Sequence, residues 1–229
     1  MLQITLDKKA LLALMLLVPA PSIGVATQLY FLPRLEGYLV ALLSKVWLLL
    51  FPVIWLYFVD KSAIKIQYPK RPDLLAGVGL GLIMLFVILT VYWLLGWRWI
   101  DTEYVLERAR LVGFSSFNLY LLGAGYWIFI NSLLEEFVWR WFVYCQCEIL
   151  VSSRLAVILS ALFFTIHHII GLAAYFDWRA TALCSCGVFI AGIIWSWCYL
   201  NYRSIWIGYI SHIFADIAIF LIGWQLIFV

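Results

Sequence analysis

The chain has 229 residues with a net charge of +3, and it is 66% hydrophobic and only 12% charged, with a mean hydropathy of +1.04. An average soluble domain is roughly 45–50% apolar and about 25% charged, and a water-exposed body of this size could not hide the surplus apolar surface. The composition therefore excludes a soluble enzyme, a nucleic-acid module, a disordered tail and a secreted disulfide scaffold, and it predicts a polytopic membrane protein.

A helix needs about 20 apolar residues to cross the hydrocarbon core. The first such run is Ala10–Leu32. It follows Lys8-Lys9 and contains Val18-Pro19-Ala20, which resembles a signal-peptide cleavage site. The apolar run continues past it, which suits a retained span, with Pro19 and Pro21 kinking the helix. The second span is Tyr38–Val59. Its Lys45 is expected to snorkel toward an interface. A polar loop, Asp60–Asp73, holds Pro69 and Pro72, and the third span is Leu74–Trp97. Between Arg98 and Ser116 the spacing of Asp101, Glu103, Glu107, Arg108 and Arg110 fits a short amphipathic interfacial helix.

The fourth span, Phe117–Leu134, continues as helix toward Cys147. Leu155–Ala174, Thr181–Leu200 and Ile205–Phe228 follow. All are too long for barrel strands. The expectation is an all-α, polytopic transmembrane helix bundle of about seven spans, forming one integral-membrane domain. Residues 1–116 supply N-terminal membrane helices and loops, and residues 117–229 a helix core. With the N-terminus in the cytoplasm, Lys8, Lys9, Lys61, Lys65, Lys70, Arg71, Arg154 and Arg203 fall inside, while Arg34, Arg98, Arg108, Arg110 and Arg179 fall outside. That bias favours this orientation.

Five cysteines, at 145, 147, 184, 186 and 198, lack the spacing of a zinc ribbon. They are expected to behave as small buried hydrophobes.

Ionisable residues inside spans are costly and mark function by default. Three clusters stand out. In Glu135-Glu136-Phe137-Val138-Trp139-Arg140, Glu136 and Arg140 are four apart and can pair on one helix face. Glu135 points about 100° away, without that local partner. Phe164-Thr165-Ile166-His167-His168 carries adjacent histidines, of which at most one is expected to face a given site. His212 and Asp216 share a face of the last span, where the carboxylate could orient the imidazole. Each cluster alone could be a helix end with salt bridges or polar glue between helices. Together, two carboxylates, an arginine and the histidines on three spans are most cheaply placed in one shared cavity.

The order Glu-Glu-x-x-x-Arg, Phe-x-x-x-His, His-x-x-x-Asp resembles the CPBP family of intramembrane proteases, which includes the type II CAAX prenyl endopeptidases and bacterial proteins of bacteriocin processing and self-immunity. The resemblance covers about residues 117–229. Carried over by residue, it implies Glu135 as the water-activating glutamate, Glu136 paired with Arg140, and His168 as the second-motif histidine. His167 is the weaker register. His212 and Asp216 match the pair that holds the oxyanion. Position 216 is Asp where the prenyl endopeptidases have Asn, and an ionised carboxylate cannot donate a hydrogen bond. Thr165 stands where a glycine is common.

The implied activity is endoproteolysis of a membrane-embedded or lipidated protein or peptide in the bilayer, with no nucleic acid involved. The family is often described as metalloprotease. Zinc could be held by Glu135, His168 and His212, but H-E-x-x-H is missing and glutamate chemistry requires no cofactor. A non-proteolytic scaffold or immunity protein of the same family is the alternative. A proton-coupled transporter fits less well, because no internal repeat or broken-helix pair is evident.

Overall fold

The computed structural model describes residues 2–32, 35–61 and 67–229, so Arg34 and Lys65 of the charge count lie outside the described residues. Every regular element among these residues is helical. Among the described residues, seven helices are long and apolar enough to cross a membrane: α1 (Leu6–Phe31), α2 (Leu35–Val59), α3 (Arg71–Arg98), α5 (Phe117–Leu150), α6 (Ser153–Leu172), α7 (Trp178–Tyr202) and α8 (Trp206–Phe228). The short helix α4 (Thr102–Leu111) lies between α3 and α5. The protein is thus an integral, multi-pass, all-α bundle, and each span lies within about one helical turn of its sequence prediction.

The helix starts follow from local chemistry. Asp101 accepts the Tyr104 backbone N–H at 3.0 Å to open α4, and Asp177 accepts that of Ala180 at 2.9 Å to open α7. The Asp60–Asp73 loop ends three residues earlier than expected. Pro72 sits in the first turn of α3, where its missing N–H costs nothing, and Asp73 accepts the Lys70 N–H at 3.3 Å. In α1 the α-helical stretch is interrupted at Val18, before Pro19, while Val18 keeps helical φ and ψ, so the chain continues as one span. Helix α2 continues past Pro52 but widens into a π-helical turn over Trp55–Val59.

Lipid gives no hydrophobic drive between helices, so close backbone approach matters. Gly77 and Gly81 on α3 form a small-xxx-small face against α8. A Cβ at Gly77 would stand 2.8 Å from Ile210 Cβ, and one at Gly81 would stand 2.5 Å from Phe214 Cδ2. Gly192 on α7 meets Ala161 on α6 in the same way, at 3.2 Å. Helix α5 is central, with Val138, Trp139, Phe142, Val143 and Tyr144 all buried. Phe51 of α2 packs edge-on against Phe142, with ring centroids 5.9 Å apart.

The two ends of the bundle are tied separately. At one, Arg203 grips Glu148 through both terminal nitrogens, at 2.7 and 2.8 Å, and Ser204 donates to Asp73 at 3.0 Å. At the other, Tyr104 donates to the Ala174 carbonyl at 3.2 Å and Tyr30 to that of Ile170 at 2.9 Å.

The cysteines depart from expectation. All five are free, but only Cys147 is buried, and Cys186 is exposed. A lipid-facing thiol needs no protein cover, so in a bundle apolar sequence does not imply burial.

Candidate active site

The Glu135–Glu136 pair sits on a short α-helical stretch, Ser132–Glu136, flanked by π-helical stretches at Tyr126–Asn131 and Phe137–Tyr144. Such wide turns inside a longer helix are rare and concentrate at functional sites. Both glutamates are buried, 5% and 0% exposed, inside a membrane span. At that depth each carboxylate needs a specific partner.

Glu136 has the partner the sequence predicted. Arg140 Nη1 lies 3.3 Å from its Oε1, with the two side chains only 1% and 0% exposed. The Arg140 guanidinium also lies over the rings of Phe164 and Trp195, at 4.5 and 5.0 Å, where ring quadrupoles attract it. The same Glu136 Oε1 stands 3.2 Å from His212 Nδ1. His212 is therefore oriented by Glu136 rather than by Asp216. Gly208, one turn before His212, makes this approach feasible, because a Cβ there would overlap the Glu136 carboxylate.

Asp216 is near but differently engaged. Its Oδ1 is 3.8 Å from His212 Nε2, beyond hydrogen-bond distance, while its Oδ2 accepts from Ser132 at 2.7 Å. His212 Nε2 is also 3.7 Å from Glu135 Oε2. The imidazole thus points this nitrogen between two carboxylates, at separations a bridging water can span. Its ring stacks on Trp195, with centroids 4.1 Å apart, and the Trp195 indole N–H donates to Ser211 at 2.9 Å.

Glu135 does have partners, all from other helices. Besides His212 on α8, it faces Lys45 on α2, whose Nζ is 4.0 Å from Oε1. That ammonium donates to Asn131 Oδ1 and lies 4.8 Å from the Trp127 ring centroid. Lys45 therefore turns into the bundle, not out to an interface. A buried carboxylate and a buried amide oxygen give it partners there, with 28% of the side chain still exposed.

The histidine pair corrects a second expectation. Both His167 and His168 come to Glu135, with ligand-capable atoms of the three residues all within 4.8 Å of one another. A 100° angular offset still lets two rings approach one carboxylate when their side chains bend toward it. His168 Nδ1 is 2.9 Å from the Phe164 carbonyl, so it donates there and leaves Nε2 free. His167 stacks on Trp139 at 5.4 Å, and its Nδ1 has no hydrogen-bond partner among the described residues. The set that could hold a metal is thus Glu135, His167 and His168. The expected set of Glu135, His168 and His212 is not the one that gathers. Thr165 donates to the Ala161 carbonyl at 2.7 Å and is buried.

Five spans build the site, where sequence had pointed to three. Lys45, Asn131, Ser132 and Trp195 escaped the sequence reading. An intramembrane lysine was the one detectable signal among them.

An intramembrane helix bundle with an acid–histidine cluster at its centre is the class that fold and site define. Residues 117–218, which carry all three clusters, match the Rce1-like family model, described as Type II CAAX prenyl endopeptidase Rce1-like. The match covers 102 of the 229 residues, and the family it names is one of endopeptidases. No curated protein and no solved structure matches the chain.

Proposed function

We propose that the protein is an intramembrane endopeptidase that hydrolyses a peptide bond with a glutamate-activated water. The observation that carries this reading is that Glu135 meets His168 of one neighbouring span and, separately, His212 of another, inside the stretch that matches the Rce1-like family.

In this reading a water lies against Glu135, and the carboxylate takes its proton as the oxygen adds to the scissile carbonyl carbon. His168, fixed by its bond to the Phe164 carbonyl, positions the water through Nε2. The carbonyl oxygen becomes an oxyanion, and His212, in its imidazolium form, donates to it from Nε2. Glu136 holds the other nitrogen of that ring, at 3.2 Å. The C–N bond then breaks and the departing amine takes the proton from Glu135. Asp216 acts as an acceptor: it fixes Ser132 at 2.7 Å and offers negative charge to His212.

A resident metal does not fit this site. The donors Glu135, His167 and His168 are suitable ligands, but the Lys45 ammonium stands 4.0 Å from the same carboxylate. A divalent cation bound there would sit against that positive charge. The proposed chemistry needs none. The substrate class that fits is a membrane-embedded or lipidated protein or peptide, with a prenylated tail as the first candidate.

The test is N-terminal proteomics of membranes from a deletion strain complemented with wild type or with Glu135→Gln. A new peptide terminus present with wild type and absent with Glu135→Gln supports the reading and names the substrate. Equal rescue by both, with no changed terminus, overturns it in favour of a non-proteolytic scaffold or immunity role.

A further inference from the structure

We propose that Lys45 is a built-in counter-cation of Glu135, supplying beside the Glu135–His167–His168 cluster the positive charge that a divalent metal would otherwise bring. The inference rests on geometry. It does not depend on reading Glu135 as the base.

The cluster is built like a ligand set. A carboxylate and two imidazoles converge within 4.8 Å. His168 donates its Nδ1 proton to a backbone carbonyl, the bond that fixes a tautomer and bares Nε2 as a ligand. His167 is 8% exposed and leaves Nδ1 without a hydrogen-bond partner among the described residues. A site of this kind, in a low-dielectric interior, calls for a cation.

The cation present is a lysine. Lys45 comes from α2, far outside the stretch that matches the family. A lysine within a span normally runs its chain to the headgroups. This one is held at three points instead: by hydrogen bond to Asn131, over the Trp127 ring, and 4.0 Å from Glu135 Oε1. Asn131 is itself 3% exposed and lies one turn before Glu135, so α5 supplies both the acceptor and the anion. The two oxygens of Glu135 are thereby divided, Oε1 toward Lys45 and Oε2 toward His212. The neighbouring charges pair off in the same way, with Arg140 beside Glu136. Lys45 acts through Glu135 and is a positioning residue. It balances the carboxylate at Oε1 and leaves Oε2 turned toward His212.

The consequence is a hidden metal site that removal of the lysine charge opens. The test uses full-length protein in lipid nanodiscs, titrated with Zn²⁺ by calorimetry, with bound zinc counted by elemental analysis. Wild type is expected to take up no stoichiometric zinc at this cluster. Lys45→Met and Lys45→Gln are each expected to bind one zinc about a hundredfold or more tightly than wild type, the scale of a unit charge at this distance in a protein interior. Adding Glu135→Gln to either should abolish that binding, and Lys45→Arg should behave as wild type. Lys45→Gln keeps an amide donor for Asn131, so it guards against loss of fold in Lys45→Met. The proposal is overturned if wild type binds one zinc that Glu135→Gln removes, an arm that needs no change at position 45. It is also overturned if the neutral variants, eluting as single species, bind none. Neither readout requires proteolysis, so failure here is separable from failure of the endopeptidase reading.

Discussion

Arg140 carries a charge that has almost no contact with solvent, and its stabilisation comes from Glu136 and two aromatic faces. Such a pair gives little net stability against a well-packed apolar substitute, but breaking it from one side leaves an uncompensated buried charge at about 3–5 kcal/mol. Arg140→Met should therefore lower the thermal stability of the purified protein sharply, while Arg140→Met with Glu136→Gln should recover most of the loss. A double variant no more stable than the single one would show that the pair is not what holds this region. The same residues explain why Glu136 differs from its neighbour. Glu136 is committed to Arg140 and to His212 Nδ1, whereas Glu135 keeps an oxygen 3.7 Å from His212 Nε2. Glu136→Gln should thus impair cleavage less than Glu135→Gln in the proteomic assay described above.

At the scale of whole elements, the pairing of α3 with α8 controls where His212 stands. Gly81 lets Phe214 pack directly on the α3 backbone, and Phe214 is two residues from His212. Gly81→Val should push α8 outward while leaving both helices in the membrane. A displacement near 1 Å at a reacting group can cost on the order of a hundredfold in rate, and a loss of that size in turnover of the identified substrate is expected. Gly79→Val is the matched control. A Cβ at Gly79 meets nothing within 4 Å, so turnover should stay near wild type. Equal loss in both variants would point to a general effect of branched residues in α3.

For the whole molecule, the contacts between loops sort the chain ends into two sets. Lys70, Glu148, Arg203 and Ser204 gather at one end, and Tyr104, Ala174 and Asp177 at the other. In a background with the five native cysteines replaced, Lys70→Cys and Arg203→Cys should react with an impermeant maleimide from the same side. Asp177→Cys should react from the opposite side. From the charge bias, the first pair is expected to react from the cytoplasmic side. Labelling of all three positions from one side would contradict the seven-span arrangement.

The spans, the amphipathic α4, the Glu136–Arg140 pair and the candidate residues at 135, 168, 212 and 216 were legible in the linear chain. Each of these is a local property, either apolar length, helical spacing or an ionisable group where lipid tolerates none. Partnerships between helices were not legible. In the linear chain Lys45 reads as a snorkelling side chain, but α2 faces α5, and Asp216 reads as the orienter of His212, but Glu136 stands closer. The histidines looked like alternatives, yet both reach Glu135. Trp195 contains no titratable group, so nothing in its sequence context marks it as the ring that both Arg140 and His212 lie against. Composition and periodicity act along one helix, and they settle which segments enter the membrane and which residues are expensive there. Which expensive residues neutralise one another depends on the rotation and contact of whole helices, set at glycines such as Gly81 and Gly208, and only the packed bundle decides it.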